Sequence, residues 1–503
     1  METIKRIVLA GILTGLIALV GCKPPQDIEV ERETVDLAFP IFTSETTLSD
    51  LISKGQDSNA LVIFDDDRMG LLYETGMDIP IQIPDLPDAD ISLVYPETVI
   101  SEVTAPGVLI KEAHIESGQL RLFFENNDTP ENVAVSITAD KLTKNGVPFQ
   151  QDLLITYSGT FPARVEAYFD LDGYTLDMKH GPLTITYAAT NQNGQTVPLN
   201  LALFSPRDVK MNFIDGIWDN QVIALDIPNL NIGFFDHYPD NGTVTFTDPT
   251  IDFTINNSVG LPAKMNLDHI VATTIHGDLI NFTGHLTENG FGIGHPDINH
   301  IGDWVVSQAT MDKSNSNIVA VTEALPTHLS LSQTSVELCP QGQSEGFMTK
   351  DAGMKLHIQA KLPFEGKVTD FRVTKKFGVH FSTDDRIKSA AIKFQAHNQI
   401  PLNARIQLYF KDEAGIILDS LVASNGVMVI DAAKVDPDGQ VIQASDWQEE
   451  IPISAERWER IKPATEVILT TTFASTSEGQ VPVIIKKGQG VILNAGLKLV
   501  ALP

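Results

Sequence analysis

Cysteine is almost absent from this chain. Only Cys22 and Cys339 occur among the 503 residues, and there is no C-x-x-C pair and no grouping of cysteine with histidine. The sequence therefore predicts neither a structural zinc site nor a redox-active dithiol. A chain of this length has to be held together mainly by its own apolar core.

Basic residues and tryptophans are also scarce. The chain has 35 Lys and Arg against 65 Asp and Glu, which gives a formal net charge of −30. A surface this acidic repels phosphate backbones, so nucleic acid is excluded as a partner. For the few tryptophans we expect packing in cores or corners rather than a sugar-stacking platform. They are Trp218, Trp304, Trp447 and Trp458.

Long apolar runs are missing except at the N-terminus. Residues 7–20 form an apolar stretch after Lys5 and Arg6, and this stretch is too short to span a bilayer. The layout is that of an export signal over residues 1–21. Removal of this signal takes away Lys5, Arg6 and Glu2, which changes the net charge from −30 to −31.

The residues Leu19-Val20-Gly21-Cys22 resemble the lipobox of bacterial lipoproteins. The resemblance implies that Cys22 receives diacylglycerol, that signal peptidase II cuts before it, and that the mature protein is held on a membrane by lipid. Apart from this covalent lipid, no cofactor is predicted. With Cys22 acylated, Cys339 has no partner, and we expect it to be a buried small apolar residue.

Residues 22–33 are interpreted as an acidic tether, because Pro24 and Pro25 prevent a helix and the carboxylates that follow repel each other. In lipoproteins of Gram-negative bacteria, an aspartate after the lipidated cysteine commonly signals retention in the inner membrane. Lys23 stands at that place here. The resemblance therefore implies anchoring in the outer membrane, and leaves open whether the protein faces the periplasm or the medium.

Alternation of apolar and polar residues dominates the rest of the chain. It is clear in residues 251–255, 404–408 and 491–495, and it predicts half-buried antiparallel strands. The 35 glycines and 28 prolines interrupt these runs at short intervals. Short helices are predicted only over residues 49–54 and 455–462. The predicted fold class is all-β, with several antiparallel β-sandwich modules in tandem and a few short helices.

A strand–corner–strand unit occurs three times, in residues 120–146, 251–278 and 392–415. Each copy has an alternating strand that ends in asparagine, then a proline, a second alternating strand and a glycine turn. Asparagine can bond to nearby backbone, and proline can open a strand where no ladder hydrogen bond is needed. The pattern predicts three corners, with the pairs Asn126 and Pro130, Asn257 and Pro262, and Asn398 and Pro401.

This unit resembles the core motif of the late-embryogenesis-abundant type 2 or water-stress-and-hypersensitive-response (WHy) domain, although the first proline of that motif is missing in all three copies. The resemblance implies seven-stranded, immunoglobulin-like sandwiches. An unrelated β-sandwich and an elongated lipid-binding β fold remain alternatives. The predicted organisation is a signal peptide (1–21), the tether (22–33), a β-hairpin region (34–100) and three sandwich modules (101–204, 205–330 and 331–503).

Three acidic segments could bind metal. Residues 295–303 combine imidazoles and carboxylates at the short spacing that suits zinc or another transition metal, and the candidate ligands are His295, Asp297, His300 and Asp303. The triplet Asp65, Asp66 and Asp67 offers oxygens suited to calcium. Residues 436–439 offer oxygens suited to calcium as well. For all three segments a polar turn is the alternative, and at residues 436–439 Asp-Gly is typical of a hairpin turn.

Residues 342–346 match the G-x-S-x-G pattern of a nucleophile elbow around Ser344. An elbow requires a buried strand before the serine and a helix after it. The flanking residues fit neither element, so a loop is predicted there. No catalytic site is assigned, and the protein is predicted not to be an enzyme.

The sequence favours an outer-membrane lipoprotein that acts as a non-catalytic binding or structural module of the cell envelope. Its predicted partners are the membrane, through the lipid anchor, and another outer-membrane protein or a surface glycan. The first alternative is a carrier of lipid or another hydrophobic ligand, because amphipathic sheets could curve around an acyl chain. The second is a metal-dependent envelope hydrolase that uses the residues of segment 295–303.

Overall fold

The structure is a computed structural model and describes residues 35–47, 60–235, 242–381, 387–422 and 428–501. The described residues are mostly β, with 61% in strands and 5% in helices. Each strand pair in the described ranges is antiparallel. The predicted all-β fold class, with several antiparallel sheets and few short helices, is confirmed.

The described ranges contain 36 strands and five short helical segments. The strands are β1 (Val35–Thr47), β2 (Leu61–Ile63), β3 (Met69–Ile79), β4 (Ile91–Ser92), β5 (Glu97–Ile100), β6 (Thr104–Ala105), β7 (Val108–Asn126), β8 (Val133–Lys144), β9 (Val147–Ile155), β10 (Ala163–Asp170), β11 (Thr175–Asp177), β12 (Leu183–Thr190), β13 (Leu201–Trp218), β14 (Gln221–Ala224), β15 (Leu230–Asn231), β16 (Thr243–Phe246), β17 (Thr250–Asn257), β18 (Ala263–Thr274), β19 (Leu279–Asn281), β20 (Phe291–Ile293), β21 (Val305–Met311), β22 (Pro326–Leu338), β23 (Ser344–Thr349), β24 (Met354–Pro363), β25 (Glu365–Thr369), β26 (Phe371–Gly378), β27 (Ile387–Asn398), β28 (Leu402–Lys411), β29 (Ile417–Ser420), β30 (Met428–Ile430), β31 (Lys434–Val435), β32 (Val441–Gln443), β33 (Ser445–Ile453), β34 (Glu466–Ser475), β35 (Val483–Ile484) and β36 (Gly490–Ala501). The helical segments are a 3-10 turn (Gly233–Phe235) and the α-helices α1 (His285–Asn289), α2 (Ile318–Glu323), α3 (Ala455–Ile461) and α4 (Thr476–Gly479).

The largest sheet, called the first sheet below, has eleven strands in the described part of the chain. Its main path is β23-β13-β7-β11-β8-β12-β5, and β4, β6, β9 and β10 pair along it. The long strands β7 and β13 lie side by side in this sheet. The pairing between them contains several register shifts, including one between Arg207 and Lys210. Buried residues alternate with more exposed ones along β8 and β12, so one face of these strands forms a core.

Two further sheets pack together from the middle of the chain. One has the order β2-β3-β24-β17-β21, and the other has β14-β22-β18-β19 with β15 and β20 added. Phe253 of the former and Phe291 of the latter have ring centroids 6.4 Å apart, so apolar side chains meet between them. A small sheet, β16-β25-β35, links this region to the C-terminal strands.

The C-terminal strands form a four-stranded sheet, β1-β36-β27-β33, and a five-stranded sheet, β26-β34-β28-β29 with β30; β31 and β32 form a separate hairpin. Strand β1 comes from the N-terminal end of the described chain and pairs with β36 from Val35 and Ala501 onward. The two ends of the described chain therefore lie in one sheet.

Several strands cross the predicted module boundaries. Strand β13 passes through residues 204 and 205, and β22 passes through residues 330 and 331. Residues 34–100 do contain the β2–β3 hairpin, but the strands of this stretch belong to three different sheets. Hydrogen bonds also join strands that lie far apart in sequence. The division into modules therefore stays a prediction.

The three predicted corners are confirmed. Strands β7, β17 and β27 end at Asn126, Asn257 and Asn398, and each of these residues is 0% exposed. The side-chain oxygen of Asn126 accepts from the amide of Thr129 at 2.9 Å, and its Nδ2 donates to the carbonyl of the same residue at 2.7 Å. The asparagine thus replaces the ladder bonds that end at the corner.

The C-terminal helix prediction is also confirmed. Helix α3 covers Ala455–Ile461, one residue less than predicted, and the side chain of Ser454 accepts a hydrogen bond from the amide of Arg457 at 3.3 Å. A serine at this position satisfies a backbone donor that the first turn leaves free. The helix predicted over residues 49–54 lies outside the described residues.

Candidate functional site

The candidate metal ligands of segment 295–303 lie on a surface turn between β20 and β21. His300 Nδ1 is 2.9 Å from Asp297 Oδ1, and this contact lowers the pKa of Asp297 and raises that of His300. Asp303 lies near enough to raise the pKa of His300 further. His295 instead places its Nδ1 3.2 Å from the carbonyl oxygen of Pro296.

The structure brings Asp297 and His300 together but does not gather all four predicted ligands. Within the described ranges, no group of three or more His, Cys, Asp or Glu side chains is placed to hold a metal ion. The Asp297 carboxylate is already used by His300 and by the amide of Asn299, at 2.8 Å. The arrangement matches the alternative reading, a polar turn.

The aspartate triplet forms the tight turn between β2 and β3. Asp66 accepts from Arg68 Nε at 2.5 Å, and Arg68 also reaches Glu365 at 2.7 Å. Asp67 has a φ of 63°, as expected at the tip of a turn. The carboxylate of Asp66 therefore serves an ion pair with Arg68.

The remaining polar motifs are turns or strand ends. Asp436 Oδ1 accepts from the amides of Asp438 and Gln440 at 3.0 and 2.9 Å, which confirms a turn at residues 436–439. Ser344 begins β23 directly after a turn, and no helix follows it before residue 350. Cys339 is buried as expected, and burial raises the pKa of its thiol, so it is a poor nucleophile.

The tryptophans divide into packed and exposed residues. Trp218 and Trp458 are buried, and Trp447 packs against the core. Trp304 is 47% exposed, and Lys355 Nζ lies 5.6 Å from the centre of its ring system. Ile298 and Ile301 are exposed nearby in sequence, so this turn presents apolar side chains to solvent.

An apolar cavity of about 410 Å³ lies between the buried face of the first sheet and the segments 86–91 and 100–104. This volume falls in the range of about 300–1,000 Å³ that is usual for small-molecule sites. Its floor consists of buried side chains from β7, β8, β11, β12 and β13 and from the turn before β11. The lining residues are Leu86, Pro87, Ala89, Ile91, Ile100, Glu102, Val103, Thr104, Ile115, Leu120, Leu142, Leu171, Leu176, Leu183, Phe204, Pro206 and Val209.

The mouth of the cavity is formed by its exposed lining residues, Pro87, Ala89, Glu102 and Thr104. Two of them belong to residues 85–93, here called the strap. The strap runs antiparallel beside β13: the amide of Leu86 donates to Val209 at 3.1 Å, that of Leu93 donates to Ala202 at 2.8 Å, and β4, which lies within the strap, pairs with β13. The strap thus forms one side of the mouth.

An ion pair holds the strap to β13. Asp90 pairs with Arg207 and accepts from the hydroxyl of Ser205 at 2.7 Å, and Arg207 Nη1 donates to the carbonyl of Ala89 at 2.7 Å. The hydrogen bond from Ser205, followed by the contact with Arg207, lowers the pKa of Asp90. The strap is therefore fixed best while Asp90 is ionised.

Replacing Asp90 by asparagine should loosen the strap. We expect amide hydrogen exchange at Leu86 and Leu93 to accelerate by about two- to fivefold, the size usual for an exposed ion pair. Because the pKa of Asp90 is lowered on folding from 3.8, its contribution is present above that pH and is lost as the pH falls through the lowered value. Wild-type protein should show the same loosening in acid.

Exchange measured by mass spectrometry on peptides that cover the strap checks this prediction. An Asp152→Asn variant is the matched control, since Asp152 is exposed on β9 and does not line the cavity. Equal protection of the strap in the wild type and in Asp90→Asn would show that the ion pair does not hold it.

The cavity was not predicted from the sequence, although one signal pointed to an unusual segment. Residues 79–96 are rich in proline, with Pro80, Pro84 and Pro87 closely spaced. Proline cannot donate a ladder hydrogen bond, so such a segment can pair with a sheet only in part, as β4 does with β13. A proline-rich segment beside amphipathic strands is thus a signal for a partly paired strap at the edge of a core.

The comparisons with known proteins give weak likenesses. No protein-family model matches the chain, and no curated protein matches it. The chain is similar to a crystal structure from Parabacteroides distasonis ATCC 8503 described as a "putative secreted protein", with 11% identity, a TM-score of 0.30 and coverage of 92% of this chain and 99% of that one. It is also similar to the VP2 protein of infectious bursal disease virus, in its D431N mutant, with 7% identity, a TM-score of 0.14 and coverage of 90% and 81%.

These likenesses are too distant to argue function. The resemblances to the lipobox and to the WHy-type corner therefore stay predictions that depend on the residues quoted above, and Cys22 and the tether lie outside the described residues. Of the helices in the described ranges, none combines the length and the apolar character needed to cross a membrane.

Proposed function

We propose that this chain is a non-catalytic binding protein of the cell envelope that holds a hydrophobic ligand inside the first sheet. The cavity of about 410 Å³ carries the proposal. The envelope location is inferred from the export signal and from the resemblance of residues 19–22 to a lipobox, with Cys22 as the lipid anchor. The hydrophobic-ligand carrier, an alternative in the sequence analysis, becomes the favoured function.

The polarity of the lining supports this proposal. The cavity is open at its mouth, so water can enter it. Water is held poorly against the apolar floor, because a buried water needs two to four polar partners. Here Glu102 and Thr104, both at the mouth, are the polar side chains of the lining.

An apolar chain would fill the cavity more favourably than water would. Each methylene moved from water into the cavity contributes about 0.8 kcal/mol. The leucines of the floor, such as Leu120, Leu142 and Leu183, are at most 5% exposed and present no competing polar groups. The arrangement therefore fits a ligand with a hydrocarbon body that enters past the strap.

Two other functions depend on different residues. Binding of an outer-membrane protein or surface glycan stays a second candidate, favoured by the exposed side chains of Ile298, Ile301 and Trp304, and co-purification from solubilised membranes tests it. A metal-dependent hydrolase would need His295, Asp297, His300 and Asp303 to converge on one ion.

Mass spectrometry of a bound ligand tests the proposal. A secreted Cys22→Ser form, purified without detergent, should release an apolar molecule near one equivalent per chain when extracted with chloroform and methanol. After extraction it should bind the neutral dye N-phenyl-1-naphthylamine with increased fluorescence. A protein that releases no such molecule and does not bind the dye would contradict the proposed function.

A further inference from the structure

The charge at the mouth of the cavity bears on the kind of ligand. Glu102 is the only titratable residue among the lining side chains, and it is exposed. In the described part of the chain it makes no ion pair, and the lining contains no Lys, Arg or His. Thr104, two residues away, adds a hydroxyl at the same place. The mouth therefore presents a free carboxylate and a hydroxyl.

Arg207 of β13, the cation that pairs with the strap, is not available to compensate a second negative charge. Arg207 is engaged by Asp90, by the carbonyl of Ala89 and by its neighbour Pro206, to whose carbonyl Nη1 donates at 3.0 Å. The strap also carries Asp88, whose Oδ1 accepts from the amide of Asp208 at 2.8 Å. The local charge beside the mouth thus remains negative.

We infer, building on the proposed function, that the ligand is a single-chain amphiphile with a cationic amine head, and that Glu102 selects it over a fatty acid. With its tail on the leucine floor, the head group of such a molecule lies at the mouth. An ammonium group can donate three hydrogen bonds, and the carboxylate of Glu102 and the hydroxyl of Thr104 can accept them. A carboxylate head would instead face Glu102 without a neighbouring cation, and like charges at short range repel.

Three ligands with the same chain and different heads test this inference. Dodecylamine, dodecanol and dodecanoate, each below its micelle concentration at neutral pH, would displace N-phenyl-1-naphthylamine from the delipidated Cys22→Ser protein. We expect dodecylamine to bind about threefold or more tighter than dodecanoate, as for an exposed charge pair, with dodecanol between them. The difference should shrink in 1 M salt, where the screening length is about 3 Å.

Charge reversal at the mouth gives the decisive comparison. Glu102→Lys should invert the order so that dodecanoate binds best, and Glu102→Gln should make the amine and the acid nearly equal. Asp152→Lys, which makes the same charge change on an exposed residue of β9 outside the lining, should keep the wild-type order.

The possible outcomes separate the two proposals. If all three ligands bind the wild type equally, or if Glu102→Lys keeps its order, the head-group inference is overturned while ligand binding stands. If Asp152→Lys inverts the order as well, net charge rather than Glu102 is responsible, and the inference also fails. If none of the ligands displaces the dye and the dye itself does not bind, the proposed function falls.

Discussion

Replacing Asn257 by leucine is expected to lower the free energy of unfolding of the central sheets by about 3–6 kcal/mol. Asn257 is 0% exposed at the end of β17. Its Nδ2 donates to the carbonyls of Val259 and Gly294 at 3.2 and 2.8 Å, and its Oδ1 accepts from the amide of Val259 at 2.8 Å. Leucine leaves the two buried backbone groups of Val259 without these partners, at roughly 1–3 kcal/mol each, and the half-buried carbonyl of Gly294 loses its partner at a smaller cost.

Denaturation with guanidinium, monitored by hydrogen exchange in peptides from β17 and β18, measures this loss of unfolding free energy. Peptides from these strands report on the central sheets separately from the rest of the chain. The control is Asn193→Leu, in an exposed turn, which should change stability by less than about 0.5 kcal/mol. A loss below about 1 kcal/mol for Asn257→Leu would show that the corner does not depend on its asparagine.

The same argument extends to the C-terminal corner. Asn398 donates from Nδ2 to the carbonyls of Leu402 and Asp431, both at 2.9 Å, and accepts from the amide of Ile400 at 3.0 Å. In both corners the asparagine bonds to backbone within four residues and to one carbonyl of a distant segment. The asparagine therefore closes a local turn and ties it to a neighbouring loop.

Filling the cavity is expected to abolish most ligand binding without unfolding the protein. In the double variant Leu142→Trp and Leu176→Trp, two indole rings replace side chains that are 5% and 7% exposed in the lining. If the rings exclude three methylenes of a bound tail, the loss is about 2.4 kcal/mol, or roughly fiftyfold in affinity. The added rings also occupy void volume, so the variant should retain the melting temperature of the wild type.

Titration with N-phenyl-1-naphthylamine measures the affinity, and circular dichroism during heating measures the stability. Leu154→Trp is the matched control, since Leu154 is 53% exposed on β9 and does not line the cavity. It should bind the dye as the wild type does. Dye binding by the folded double variant with unchanged affinity would place the ligand elsewhere in the molecule.

Much of the local structure could be predicted from the sequence. Alternation over residues 251–255, 404–408 and 491–495 identified segments of β17, β28 and β36, because the side chains of a strand point to opposite faces in turn. The three asparagine corners were found because most of their hydrogen bonds span only two to four residues. Helix α3 was found from a serine that caps it and a proline that follows it.

Strand pairing could not be predicted in this way. Val35 of β1 pairs with Ala501 of β36, and β3 pairs with β24 from residues 79 and 354 onward. Any alternating strand offers the same ladder of backbone donors and acceptors, so nothing local identifies its neighbour. The candidate ligands of segment 295–303 show the same limit, because close spacing in sequence does not make side chains converge on one point.

The amino-acid sequence by itself determined the all-β class, the acidic surface, the three corners and the turns, since each depends on bonds or repulsions among near neighbours. Only the tertiary structure decided that β7, β8, β11, β12 and β13 enclose a leucine-lined space with Glu102 at its mouth. The lining combines side chains of these five strands with those of the strap and of residues 100–104, which are separate in sequence. The volume of the space depends on how the strands are arranged, and no single segment encodes that arrangement.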